Sequence, residues 1–238
     1  MSIDKKLVAK AVLGALEPLF ELYDFKIVES RRRWRCHVDS VQVVSLEFFS
    51  KRHTAQWGIP ASSFALSTGV FLLPVPSIYA PTIATRDGVL LPEPAQCHIR
   101  FEPARRIRQR DVPSNVWAVG DSEADLQLAV DDAAGAMREH GFPWLEQVKD
   151  LDYVLKLLRE SEEEDNAHGR LLGFGRLGSP VRNVIRGFME LHAGNYASAC
   201  DHLEAALRKG DLAALSGRNS IVKEIDDALK RAMRARDA

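Results

Sequence analysis

Three groupings of residue type mark where this sequence could carry out chemistry. Cys36-His37 and Cys97-His98 each set a thiol beside an imidazole, the donor types of a zinc site or of a base-assisted thiol nucleophile. Gly173-Phe174-Gly175-Arg176-Leu177-Gly178 has the GxGxxG spacing with which a backbone loop cradles a pyrophosphate. Asp121, Glu123, Asp125, Asp131 and Asp132 crowd one helical stretch, and Asp125 and Asp132, seven residues apart, share a face on which a divalent ion could be held.

Each grouping lacks the context its chemistry needs. Adjacent strand residues point to opposite faces, so neither Cys-His step can offer both side chains to one ion, and no CxxC or HxxxH pair accompanies them. Only Leu171-Leu172 precedes the glycine run and helical patterns follow it, so the βαβ frame of a dinucleotide site is missing and the run reads as a hinge. Acidic residues in a first helical turn are what the helix dipole favours, which makes the carboxylates a solvated face. There is no GxSxG elbow and no Walker loop. The expectation is no catalytic residue, no metal and no cofactor.

A stronger signal is the alternation in Arg33-Trp34-Arg35-Cys36-His37-Val38 and in Cys97-His98-Ile99-Arg100-Phe101. Strand side chains alternate with a period of two, so one face is expected to bury Trp34, Cys36, Val38, Cys97, Ile99 and Phe101. The other face then displays Arg33, Arg35, His37, His98 and Arg100 as a binding surface, with Arg31 and the downstream Arg105, Arg106, Arg108 and Arg110 able to join it. Arginine's planar fork suits carboxylate or phosphate. RNA-binding sheets present open aromatics for stacking, whereas Trp34 and Phe101 alternate inward, so an acidic protein is the expected partner and nucleic acid is disfavoured. The plain alternative is a solvated sheet face whose charges discourage edge pairing.

The elements that would position these residues can be read in order. Ile3, Leu7, Val8, Val12, Ala15, Leu16, Leu19 and Phe20 fall at three- and four-residue intervals, the stripe of an amphipathic helix that covers a sheet. Strands are expected at about 25–29, 32–38, 41–49, 63–73 and 97–102, and the short spacings between the first three favour hairpins and antiparallel pairing. The 74–94 stretch holds five prolines and reads as a long irregular connection. Ser122 and Asp125 form a capping box for a helix that should stop at His140-Gly141, before Pro143. Short helical pieces follow at 143–149 and 151–159. The acidic run 160–165 and the glycines after it look like a linker over 160–178. Ser179-Pro180 then opens a helix that Gly194-Asn195 ends, and two more helical patterns complete the chain.

Composition narrows the class. Hydrophobic residues make up 46% of the 238 and charged residues 27%, enough to build a core. The formal net charge of -1 gives no global pull toward polyanions, so any attraction must be local. Three scattered cysteines argue against a disulfide framework and for a reducing cytoplasm. Lys10 and Glu17 interrupt the N-terminal apolar stretch, which is therefore not read as a signal peptide, and no apolar run is long enough to span a membrane.

Two resemblances add to this reading. Residues of about 10–158 resemble the family called domain of unknown function 4304. The likeness rests on the order of several features: the first helix running into Asp24-Phe25, Arg33-Trp34-Arg35, the Val41-to-Phe49 strand, Gly69-Val70, Cys97-His98-Ile99-Arg100, Trp117 and the Gly141-Phe142-Pro143-Trp144-Leu145 corner. Asp24 stands where that family usually has glycine. The resemblance implies an α+β domain and brings no activity. Near 180–209, Gly187, Gly194, Tyr196, Ala199, Leu203 and Ala206 resemble a tetratricopeptide helix pair, present once, although Asn183, Arg186 and Glu190 replace large apolar residues.

The expected fold class is α+β, with a mostly antiparallel sheet covered on one face by helices and followed by a C-terminal helical hairpin plus a terminal helix. The expected division is an α+β domain at 1–159, a linker at 160–178 and a helical subdomain at 179–238. The expected function is a non-catalytic binding module, scaffold or antitoxin-like. The alternative is a hydrolase or nuclease acting on a phosphate-bearing substrate through the same arginines and the Asp121–Asp132 carboxylates.

Overall fold

The structure, a computed structural model, describes residues 3–79, 83–107, 112–209 and 220–238. Helix α1 (Lys5–Leu22) starts at Asp4, whose carboxylate accepts from the Lys6 amide at 2.8 Å, and it buries the stripe Val8, Val12, Leu16 and Phe20. A meander of β1 (Lys26–Glu29), β2 (Arg32–Cys36) and β3 (Ser40–Phe48) follows. The short helix α2 (Lys51–Trp57) is capped by Ser50 and turns the chain at Gly58 into β4 (Phe64–Leu72), which runs back along the whole of β3.

The 74–94 stretch, expected to be irregular, contains a hairpin of β5 (Ala84–Arg86) and β6 (Val89–Leu91). Asp87 and Gly88 both have positive φ there, the geometry a tight two-residue hairpin turn needs. Strand β7 (Ile99–Pro103) then pairs with β4.

Helix α3 (Glu123–Ala136) has the capping box expected of Ser122 and Asp125. It does not stop at Gly141. The chain continues through a π-turn, Met137–Gly141, directly into α4 (Phe142–Gln147), with Gly141 in right-handed geometry at φ -66. Pro143 lies in the first turn of α4. A Cβ on Gly141 would sit 2.6 Å from Met137 Sδ, so the end of that side chain would have to shift to admit one.

Helix α5 (Leu151–Glu160) leads into β8 (Glu164–Asp165) and β9 (Gly169–Leu172). The stretch expected as a linker is therefore part of the sheet, whose order is β1-β2-β3-β4-β7-β9-β8 with every pairing antiparallel. Helices α6 (Pro180–His192), α7 (Tyr196–Lys209) and α8 (Ser220–Arg236) complete the fold. The α+β class, the antiparallel sheet and the C-terminal helices are all present. No helix among the described residues is long and apolar enough to cross a membrane.

One core joins these parts. Phe20 of α1, Val44 of β3, Val70 of β4, Ala133 of α3, Phe142 of α4, Leu158 of α5, Ile185 of α6 and Ile225 of α8 belong to the same buried cluster. Where α6 meets α7, a Cβ on Gly187 would lie 2.7 Å from Leu203 Cγ and 3.2 Å from its backbone nitrogen. Gly187→Val is therefore expected to cost about 1–3 kcal/mol by overpacking, read as a fall in the urea midpoint with an unchanged slope. An unshifted midpoint would mean the two helices do not approach this closely.

Candidate functional site

The structure does not bring the five expected residues to one exposed face. Alternation holds within each strand, but the two key strands are out of phase with one another. Arg33 pairs with Val44, which faces the helices, whereas Arg100 pairs with Gly69, the partner of Val43 on the opposite side. Trp34 therefore packs with Val43, Phe71, Leu91 and Cys97, while Ile99 joins the helix-side core. Both faces carry cover. The chain around the β5–β6 hairpin lies over Trp34, whose indole N–H donates to Pro92 O at 3.0 Å. Cys36 and Val38, expected inside, are exposed, Val38 by 91%.

Arg33 and Arg35 lie on the helix side and are only 5% and 8% exposed. Arg33 sits 5.3 Å from the Phe20 ring centroid and pairs with Glu17 at 3.3 Å. Arg35 donates to Gln42 Oε1 at 2.6 and 3.1 Å, to Tyr23 O at 3.0 Å and to the Glu146 carboxylate. Gln42 in turn donates to Leu145 O at 2.7 Å. These guanidiniums tie α1, the sheet and α4 together, so their charge is used internally.

His98 is fully buried. Its Nδ1 accepts from the Leu72 amide at 2.9 Å, so Nε2 must carry the proton that points at Pro76 O, 3.0 Å away. Burial pushes its pKa down to about 4. His37 is half-buried at the β2–β3 turn; desolvation, then the neighbouring Arg35, lower its pKa, and its Nε2 has no partner among the described residues. Arg100 is half-buried across the sheet, 6.0 Å from the Tyr79 ring centroid. Arg105 is buried and Arg106 pairs with Asp132 and Glu139; Arg108 and Arg110 lie outside the described residues.

The chemical groupings are committed to the fold as well. Asp132 is buried, with Oδ2 accepting from the Trp117 indole at 2.9 Å and Oδ1 from the Ile107 amide at 3.2 Å, while Asp125 belongs to its cap. The Gly173 and Gly175 amides, both with positive φ, converge on one oxygen of Glu163 at 2.8 and 2.9 Å. The chain's own carboxylate thus takes the place a phosphate would occupy in a dinucleotide loop. No cluster of three metal-ligating side chains occurs among the described residues. Cys97 is buried; Cys36 is exposed as a residue, yet partial desolvation of its sulfur pushes its pKa up, the wrong direction for a nucleophile. A cleft of about 470 Å³ between the β1–β2 edge and the hairpin is lined by Trp34, Val28 and Leu91, with Lys26, Asp24, Arg86 and Asp87 among its charged groups.

A group of cations also lies at the end of β3. Lys5 Nζ lies 5.3 Å from the Phe48 ring centroid and donates to Phe49 O at 3.3 Å. Arg31 lies over the same ring at 5.8 Å. Beyond Ser50 come Lys51 and Arg52, both exposed. None of these four cations has a carboxylate partner among the described residues. Trp57 closes the short helix, edge-on to Phe49 at 5.2 Å, and His53 stacks on it at 5.5 Å with an interplanar angle of 15°. Only Arg31 of this group was among the candidates. The signal was present in Phe48-Phe49-Ser50-Lys51-Arg52-His53, but helical and strand periodicities meet there and neither assigns those side chains a common face.

Comparison with known proteins finds no matching family model, no matching curated protein and no matching solved structure.

Proposed function

We propose that this chain is a non-catalytic binding module that docks an acidic protein partner, in the manner of a scaffold or antitoxin, at the end of the sheet where Lys5 and Arg31 lie over Phe48 and Lys51 and Arg52 follow on the exposed start of α2. The observation that supports it is the set of four cations without carboxylate partners, beside arginines elsewhere that are locked into ion pairs. Exposed cations around an apolar ring attract carboxylates and give them a partly dehydrated place to settle. The likeness of residues 10–158 to domain of unknown function 4304, and of 180–209 to a tetratricopeptide pair, belongs to the same proposal. So does a reducing cytoplasmic setting, which three unpaired cysteines support.

The test is titration with polyglutamate at low and at raised salt. Binding is expected to weaken steeply with salt, and the Lys51→Glu/Arg52→Glu double variant should lose at least about tenfold in affinity through like-charge repulsion. Charge reversal at Arg208, on α7, should leave affinity unchanged. Equal affinities in wild type and the double variant would sink the proposal.

A further inference from the structure

The cations alone specify an anion; the rings among them specify more. His53 is exposed and one face of its ring lies on Trp57, which in turn meets Phe49 edge-on, so the other face of His53 is the open side of the group. Lys51 and Arg52 immediately precede it on the same helix, and Phe49 carries the carbonyl that Lys5 holds. A flat side chain laid on His53 would lie on the same short helix as Lys51 and Arg52. Resting on the docking proposed above, we infer that the partner segment carries an aromatic side chain among its carboxylates, and that the aromatic stacks on the His53–Trp57 pair while the carboxylates meet Lys51, Arg52, Arg31 and Lys5.

A short acidic peptide fits this site better than a nucleic acid strand. The chain has a net charge of -1, so a long phosphate backbone running past four cations would find no attraction from the rest of the molecule. Strand-binding surfaces also offer several open rings for successive bases, whereas Trp57 and Phe49 are half-buried here and only His53 has a free face.

The experiment compares three ligands on the full chain: a short polyglutamate peptide, the same peptide with one central tyrosine, and a single-stranded oligoribonucleotide of equal charge. The tyrosine is expected to tighten binding about fivefold, a typical gain for a stacked aromatic pair. That gain should vanish in His53→Ala and in Trp57→Leu, each of which should bind the two peptides with equal affinity. Far-UV circular dichroism shows that both variants fold, and His53→Ala, at an exposed position, keeps the test valid if Trp57→Leu does not. Equal affinity for the two peptides overturns the stacking inference and leaves the docking proposal standing. Failure of both peptides to bind overturns both. Tighter binding of the oligonucleotide, lost in His53→Ala, would show that the stack serves a base and overturn the choice of partner.

Discussion

Arg35→Ala is expected to destabilise the fold by about 3–5 kcal/mol, the range seen when one member of a buried charged network is removed. The guanidinium is 8% exposed and lies 4.9 Å from the Phe25 ring centroid. Its loss leaves Gln42, wholly buried, without the donors that hold its Oε1, leaves Tyr23 O without its guanidinium donor, and leaves Glu146 with Lys149 alone. Unsatisfied buried polar groups carry the full desolvation cost. Arg35→Met, which keeps the aliphatic stem against Phe25, should cost less than the alanine variant. Urea unfolding of the three proteins checks the order. A loss below about 1 kcal/mol for Arg35→Ala would show that the network does not hold α1 and α4 to the sheet. By contrast, Lys51→Glu on the exposed short helix should change stability by no more than about 0.5 kcal/mol, which separates docking residues from structural ones.

The second large effect is a loss of stability in acid, centred on His98. In the unfolded chain this histidine titrates near 6.5, and in the fold its pKa is about 4. The native state therefore binds fewer protons than the unfolded state between those values, so stability falls as pH falls. The contribution is fully present above about pH 6.5 and is lost as pH drops through about 4, for a total of about 3 kcal/mol. Protonating Nδ1 would also turn the acceptor of the Leu72 amide into a donor facing a donor. Carboxylate ion pairs weaken in acid too, so the check is a difference: His98→Asn, which retains an acceptor but no titration, should lose less stability than wild type between neutral pH and about pH 4.5. Parallel curves for the two proteins would refute the assignment.

Much of the fold was readable because local patterns are strong there. Val8, Val12, Leu16 and Phe20 can only stripe a helix, and Ser122 with Asp125 makes the cap it promises. The antiparallel pairing of the first three strands follows from their short connections. What alternation cannot give is the phase of one strand relative to another. Trp34 and Ile99 are both apolar and both buried, yet on opposite sides, because a connection rich in proline covers the side that helices leave open. Once both faces are covered, an apolar residue no longer says which side it is on. The candidate site failed for the same reason: Arg33, Arg35 and His98 were placed in water because their neighbours were apolar, and each instead has acceptors or donors supplied from distant parts of the chain. The glycines of 169–178 looked like a hinge, since nothing local reveals that Glu163 returns to their amides or that Gly169–Leu172 pairs with β7.

Cys36 stands at the far end of the same sheet from Phe48. It pairs with Val41, seven positions before Phe48 on β3, a separation of about 23 Å at the usual strand rise. It is the exposed one of three thiols; Cys97 and Cys200 are enclosed. The molecule thus carries a natural handle for a maleimide fluorophore, reactive in mildly alkaline buffer because its sulfur is reluctant to ionise. A dye attached there reports tumbling and occupancy without standing in the way of an incoming ligand.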